Sequence, residues 1–264
     1  MAESKKTNWK TTDKRFVAFL DILGFKDSVM RNTHDDIYSK LTSINKVKKT
    51  IENSNNNESF VEYYFDSEVY IVNFSDSIVI FSKNDDVYNF EYFLVAVRYL
   101  FGKCIDNGIP VKGGVAYGEV SVNKSEQIYF GQPIIDAYLL EEDLNHFGIV
   151  LHNSVDKYIL DNSESLKDLK YYEKSLFSYK VPLKYGKIHH SNINWFKMLI
   201  ESKESDDFDL KKKEVLSKLN QFYVTCSGSP RKYVDNSIDL FEELLSKNII
   251  NLDKKASHNN GFTI

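Results

Sequence analysis

Five apolar residues in a row, Phe16, Val17, Ala18, Phe19 and Leu20, leave no polar face on the segment that contains them. Side chains of a strand alternate between faces, so a run of this kind is buried on both sides, in a sheet centre or against another subunit. The run predicts a first strand over residues 15–20. It ends on Asp21, after which Ile22, Leu23, Gly24 and Phe25 lead into a helical stretch. Everything downstream must pack around that strand.

A second helix follows, with Ile37, Leu41, Ile44, Val47 and Ile51 at helical spacing, and then a polar loop over 53–57. Residues 62–74 and 78–81 are rich in Val, Ile, Tyr and Phe, and Ser75, Asp76 and Ser77 lie between them, which predicts a hairpin. Over 86–105 an apolar stripe from Val87 to Cys104 predicts a long amphipathic helix, closed by Asn107 and Gly108. A strand over 111–117 carries Gly113 and Gly114, a sign of close approach by another backbone or a ligand. A hairpin is expected over 119–122 and 127–130, then a helix opened by Gly131 and Pro133, then a short strand at 148–151.

The order β-α-α-β-β-α-β-β-α-β predicts an α+β, ferredoxin-like layout with helices on one face of an antiparallel or mixed sheet. The expected organisation is a disordered tail at 1–14, a catalytic domain at 15–153 and a C-terminal α/β extension at 154–264. In that extension the sequence predicts a Tyr- and Lys-rich strand region over 171–185, helices near 210–222 and 235–247, and a frayed end from residue 254. Its role is left open.

Composition removes several classes of function. With 34 basic and 38 acidic side chains the net charge is −4, which argues against a nucleic-acid binder that acts by counterion release. The most apolar run, near 93–101, contains Arg98 and falls short of a membrane span. The polar N-terminal residues do not form a secretory signal. Cys104 and Cys226 encode no disulfide framework, so a reduced, cytoplasmic compartment is expected. His189 and His190 are adjacent and face opposite ways in a strand, which suits a solvated pair better than a metal site.

Two carboxylates stand out by position. Asp21 ends a buried strand beside a turn whose N–H groups and helix dipole favour phosphate. Asp76 sits at a hairpin tip. If the two strands are neighbours, both carboxylates meet at one end of the sheet as hard oxygen donors for Mg²⁺ or Mn²⁺ bridging a triphosphate. Taken singly, Asp21 equally suits a helix N-cap and Asp76 a turn former.

Three segments, Phe19 to Phe25, Phe74 to Ser77 and Lys112 to Glu119, together resemble the successive signatures of class III nucleotidyl cyclases. Within that group the chain is most similar to the pyrimidine cyclases of bacterial Pycsar anti-phage systems, a likeness shared by Gly131, Pro133, Ala137, Tyr138, Leu140 and Glu141. The resemblance spans about residues 15–151. It implies that Asp21, Asp76 and the carbonyl of Ile22 bind two Mn²⁺ or Mg²⁺ ions, and that Leu23, Gly24, Phe25, Tyr70 and Lys112 contact the nucleotide.

The implied reaction is cyclisation of UTP or CTP to the 3′,5′-cyclic monophosphate with release of pyrophosphate, uridine being favoured. The implied partners are a second copy of the chain, in a homodimer with shared sites, and a separate effector protein that reads the product. Neither nucleic acid nor membrane is among them.

The same comparison marks departures. Tyr70 stands where adenylate cyclases place an adenine-reading lysine, and Ile128 occupies the partner position. Lys112 replaces a common arginine and loses its bidentate geometry. Ile135 and Leu139 stand where purine cyclases carry an asparagine and an arginine that stabilise the transition state. A cyclase-like module that binds nucleotide without turning it over is the alternative these departures keep open.

Overall fold

In the computed structural model, residues 7–53, 62–200 and 207–252 are described. The elements run β1 (Thr12–Ile22), α1 (Phe25–Arg31), α2 (His34–Glu52), β2 (Val69–Phe74), β3 (Ser77–Ser82), α3 (Val87–Asp106), β4 (Val111–Asn123), β5 (Ile128–Phe130), α4 (Gln132–Asp143) and β6 (Ile149–Leu151). There follow α5 (Asn153–Asp161), α6 (Ser163–Lys167), α7 (Tyr172–Ser175), β7 (Leu176–Leu183), β8 (Gly186–Ile193), α8 (Phe208–Asn220) and α9 (Arg231–Ser246). The fold is α+β. Its eight-stranded sheet runs β2-β3-β1-β4-β6-β8-β7, with β5 paired to β4 and only β4–β6 parallel.

β1 lies between β3 and β4, and Phe16, Val17, Ala18 and Leu20 are fully buried. One face carries Phe16, whose ring lies 4.3 Å from that of Phe90 in α3. The other carries Phe19, edge-on to Tyr138 of α4 at 5.3 Å. Alternation along β1 therefore puts α3 and α4 on opposite faces, which corrects the expectation of helices on one face only. Gly114 makes the second layer possible: a Cβ there would lie 2.3 Å from the Ala137 carbonyl oxygen, so only glycine lets the α4 backbone approach this closely.

Side-chain caps close two helix starts. Thr33 and Asp36 form a reciprocal capping box on α2, and Asp86 caps α3 through the Asn89 N–H. α3 departs from its amphipathic pattern, because its polar residues Glu91 and Arg98 are buried as well. Glu91 accepts from the Tyr64 hydroxyl at 2.7 Å and from the Tyr171 N–H, and Arg98 donates to the Lys174 carbonyl at 3.3 Å. Residues from the C-terminal third thus cover the side of α3 that the sequence pattern leaves to water.

Other boundaries shift. Residues 62–68 fold as a short helical end and turn, so strand structure begins only at Val69. β4 is one continuous strand of 13 residues that spans both strands predicted over 111–122. Residues 12–14 belong to β1, and Thr7 bonds the Asp66 carboxylate at 2.8 Å through its N–H, so 7–14 is no tail. Residues 1–6, most of the loop at 53–57 and the segment from 254 lie outside the described residues. β7 and β8 extend the same sheet through the β6–β8 pairing, Val150 opposite Asn192. Among the described residues no helix is long and apolar enough to cross a membrane.

Candidate active site at the end of the first strand

The β2–β3 hairpin closes through two residues, Ser75 and Asp76, between the paired Phe74 and Ser77. Ser75 has φ 56°, the left-handed conformation that two-residue hairpin loops require and that β-branched residues resist. β3 then pairs with β1 so that Ser77 lies opposite Asp21, while β4 puts Lys112 opposite Asp21 on its other side. Asp76 is thereby carried to the end of β1. The Ile22 N–H donates to the Asp76 carbonyl at 2.9 Å.

Asp21 is half-buried, and its carboxyl is held above the usual carboxylate range, first by burial and then by the Asp76 charge. Glu142 pushes in the same direction and only Lys112 opposes them. Two carboxylates from distant parts of the chain thus share one end of the sheet with a deficit of positive charge.

After Asp21 the chain turns through Gly24, at φ 68° and ψ 19°, a left-handed conformation that suits glycine. Its carbonyl accepts from the Ser28 N–H at 2.9 Å and starts α1. The N–H groups assigned to phosphate are not all free: Ile22 donates to Asp76, and Leu23 donates to the Pro110 carbonyl at 2.9 Å. That corrects the sequence reading at those two amides.

Lys112 is almost fully buried and is already engaged. Its Nζ pairs with Glu141 Oε1 at 2.9 Å and donates to the Glu141 carbonyl at 2.9 Å, with the Glu142 and Leu144 carbonyls at 3.5 Å. Burial pushes the Glu141 carboxyl up to about 7 despite this partner. Sequence reasoning missed Glu141 and Glu142 as site residues. The signal was present: Glu141, Glu142 and Asp143 end a helix with no basic residue in its last turn, against the preference of the helix dipole for cations there. Such an end needs a cation from elsewhere, and Lys112 is that cation.

Tyr70 does not join this group within one chain. It lies opposite Phe81, level with Val17, four residues along the strands from Asp21 or roughly 13 Å. Its hydroxyl bonds that of Tyr129 at 2.9 Å, and Lys124 Nζ stands 4.9 Å from its ring centroid. Ile128, Ile135 and Leu139 are exposed on β5 and α4. Among the described residues no group of three or more His, Cys, Asp or Glu side chains is arranged to hold a metal ion.

No protein-family model matches the chain, and no curated protein is similar to it. Among solved structures it is similar to the monomeric guanylyl cyclase domain of the RhoGC fusion protein from the aquatic fungus Blastocladiella emersonii, at 14% identity and a TM-score of 0.43 over 71% of this chain and 98% of that one. It is also similar to the catalytic core of a rhodopsin-guanylyl cyclase with converted specificity in complex with ATPαS, at 15% identity and 0.47 over 70% and 97%. A third likeness, at 11% identity and 0.36 over 90% and 44%, is to a class III adenylyl cyclase-like ATP-binding protein from Pseudomonas aeruginosa. Likeness this slight does not define an activity, which must be argued from the site itself.

Proposed function

We propose that the chain is a metal-dependent nucleotidyl cyclase that converts UTP, or CTP, to the 3′,5′-cyclic monophosphate and pyrophosphate. The observation that carries this reading is the meeting of Asp21 and Asp76 at one end of the sheet, where Asp21 lacks sufficient positive charge. A carboxylate pair short of cations, with oxygen donors only, fits Mn²⁺ or Mg²⁺. Asp21, Asp76 and the Ile22 carbonyl are the residues that would hold two such ions. Bound there, they would neutralise the triphosphate and lower the pKa of the ribose 3′-hydroxyl.

The other residues bind and orient. Gly24 and Phe25 offer backbone N–H groups to the phosphates at the turn. In the reaction the 3′-oxygen bonds to the α-phosphorus, the α–β phosphoanhydride bond breaks, the hydroxyl proton passes to solvent and pyrophosphate leaves. Tyr70 lies away from the aspartates with its hydroxyl already bonded to Tyr129, and the resemblance to class III cyclases supports a homodimer in which each copy supplies base contacts to the other's metal site. The exposed apolar residues Ile128, Ile135 and Leu139 suit burial against that second copy. The resemblance to Pycsar cyclases supports an alarm role in cytoplasmic anti-phage defence, the product acting on a separate effector.

The test is incubation with ATP, GTP, CTP and UTP in turn with Mn²⁺, and chromatographic resolution of products. Cyclic UMP or cyclic CMP is expected. Nucleotide binding with no pyrophosphate release from any of the four would instead identify a non-catalytic nucleotide-binding module.

A further inference from the structure

The C-terminal extension reaches the candidate site through the loop that ends α4. The Lys184 N–H donates to the Asp143 carbonyl at 2.8 Å, and the Asn145 N–H to the Pro182 carbonyl at 3.1 Å. Asn236 in α9 donates to the Asn145 carbonyl at 2.7 Å, and the Phe147 N–H donates to Ser237 Oγ at 2.8 Å. β7 and α9 therefore grip residues 143–147 from two sides. Lys112 enters the same knot from β4, bonded to the end of α4, and its Nζ lies 5.8 Å from the centroid of the Tyr233 ring in α9. Its backbone is paired directly with Asp21.

A cation that serves as a phosphate contact needs an ammonium that faces the substrate. This one is enclosed, with side-chain exposure of 7%, and its partner Glu141 has 4%. Releasing it would strand a buried carboxylate and the acidic end of a helix. We propose that Lys112 is a positioning residue through which the C-terminal extension fixes the end of α4 against Asp21. This rests on the cyclase reading of Asp21 and departs from the phosphate-contact role that the sequence resemblance implies. Residues beyond 153 thereby belong to the working site.

The proposal separates from a phosphate contact by kinetics. In Lys112→Met and in Glu141→Gln, kcat for UTP is expected to fall about tenfold or more while KM moves less than about threefold. The affinity for 3′-deoxy-UTP with Mn²⁺, measured by calorimetry, should likewise stay within about threefold, since this analogue binds but has no hydroxyl to cyclise. Tyr233→Leu should lower kcat in the same manner, with KM again moving less than about threefold.

A tenfold or larger rise in KM and loss of analogue binding confined to Lys112→Met, with Glu141→Gln silent, would overturn the proposal. The double variant Lys112→Met/Glu141→Gln leaves no lone buried charge, and serves if a single variant fails to fold. Its kcat should match that of the worse single variant. Amide exchange at Leu144 and Asn145 should quicken in the double variant and in Tyr233→Leu. Unchanged exchange overturns the latch even if the wild-type chain binds no nucleotide, whereas faster exchange in a chain that neither binds nor cyclises nucleotide refutes the cyclase reading alone.

Discussion

The peptide N–H of Ile22 is bonded to the carbonyl of Asp76 at 2.9 Å, so the residue after one acidic side chain is tied to the backbone of the other. This single bond, with the β1–β3 register that ends at Asp21 and Ser77, fixes the pair across more than fifty residues of chain. A hairpin tip is otherwise free to sway. Here it is pinned beside the end of β1.

Asp76→Ala should therefore abolish turnover with little effect on folding. The side chain sits at a two-residue loop and its anchoring bond is made by the backbone. The expected loss of kcat is roughly a thousandfold, comparable to removal of a principal transition-state contact. Stability to urea should change by less than about 0.5 kcal/mol. Retained turnover in that variant removes the metal assignment.

Asp21 carries a sign that can be checked without substrate. Its carboxyl pKa is raised in the folded chain, so the folded state binds that proton more tightly than the unfolded state does. Stability then falls as pH rises from the ordinary carboxylate value through the raised one, and stays low at neutral pH. Asp21→Asn should accordingly melt at a higher temperature than wild type at pH 7.5 in chelator, the gap closing in acid. Added Mn²⁺ should raise the melting temperature of wild type only.

Glu141 obeys the same sign over a defined window, with its carboxyl pushed up to about 7. Its contribution to stability declines as pH climbs from about 4.5 to about 7 and is flat above that. Glu141→Gln should flatten the melting profile over that interval. A profile unchanged from wild type contradicts its burial beside Lys112.

Gly114→Ala tests the second helical layer. The added Cβ would stand 2.3 Å from the Ala137 carbonyl oxygen and 3.2 Å from the Glu141 nitrogen, both main-chain atoms with no rotamer to yield. A loss of about 2–3 kcal/mol is expected in denaturant titration. Gly24→Ala, by contrast, meets no neighbour within 4 Å, and its penalty arises only from φ 68°, on the order of 1 kcal/mol.

Tyr70 supplies a test of the second copy. Tyr70→Phe removes the bond to Tyr129 while leaving the ring in its aromatic cluster. If Tyr70 reads a base held by the partner copy, the UTP-to-CTP ratio of kcat/KM should shift severalfold, about 1 kcal/mol for one lost hydrogen bond. If the sites are shared between two copies through this exposed face, Leu139→Glu should yield a folded monomer without turnover in sedimentation and activity measurements.

Much of this arrangement is legible in the chain because its causes are local. The unbroken apolar run of β1, the turn residues before Ser77 and the helical stripe of α3 each state their own structure, and their order places Asp21 and Asp76 together. What escapes the sequence is decided by distant partners. Lys112 reads as a free cation until α4 presents an acidic end to it. α3 reads as half-solvated until Tyr171 and Lys174 cover its far side. The extension reads as separate until Asn192 pairs with Val150 and α9 meets the α4 loop.

The most direct test is anomalous diffraction from crystals grown with Mn²⁺ and 3′-deoxy-UTP. Two manganese peaks are expected between the carboxylates of Asp21 and Asp76, with triphosphate density running toward the Gly24 turn. Manganese bound elsewhere, or a triphosphate lodged away from both aspartates, would contradict the assignment.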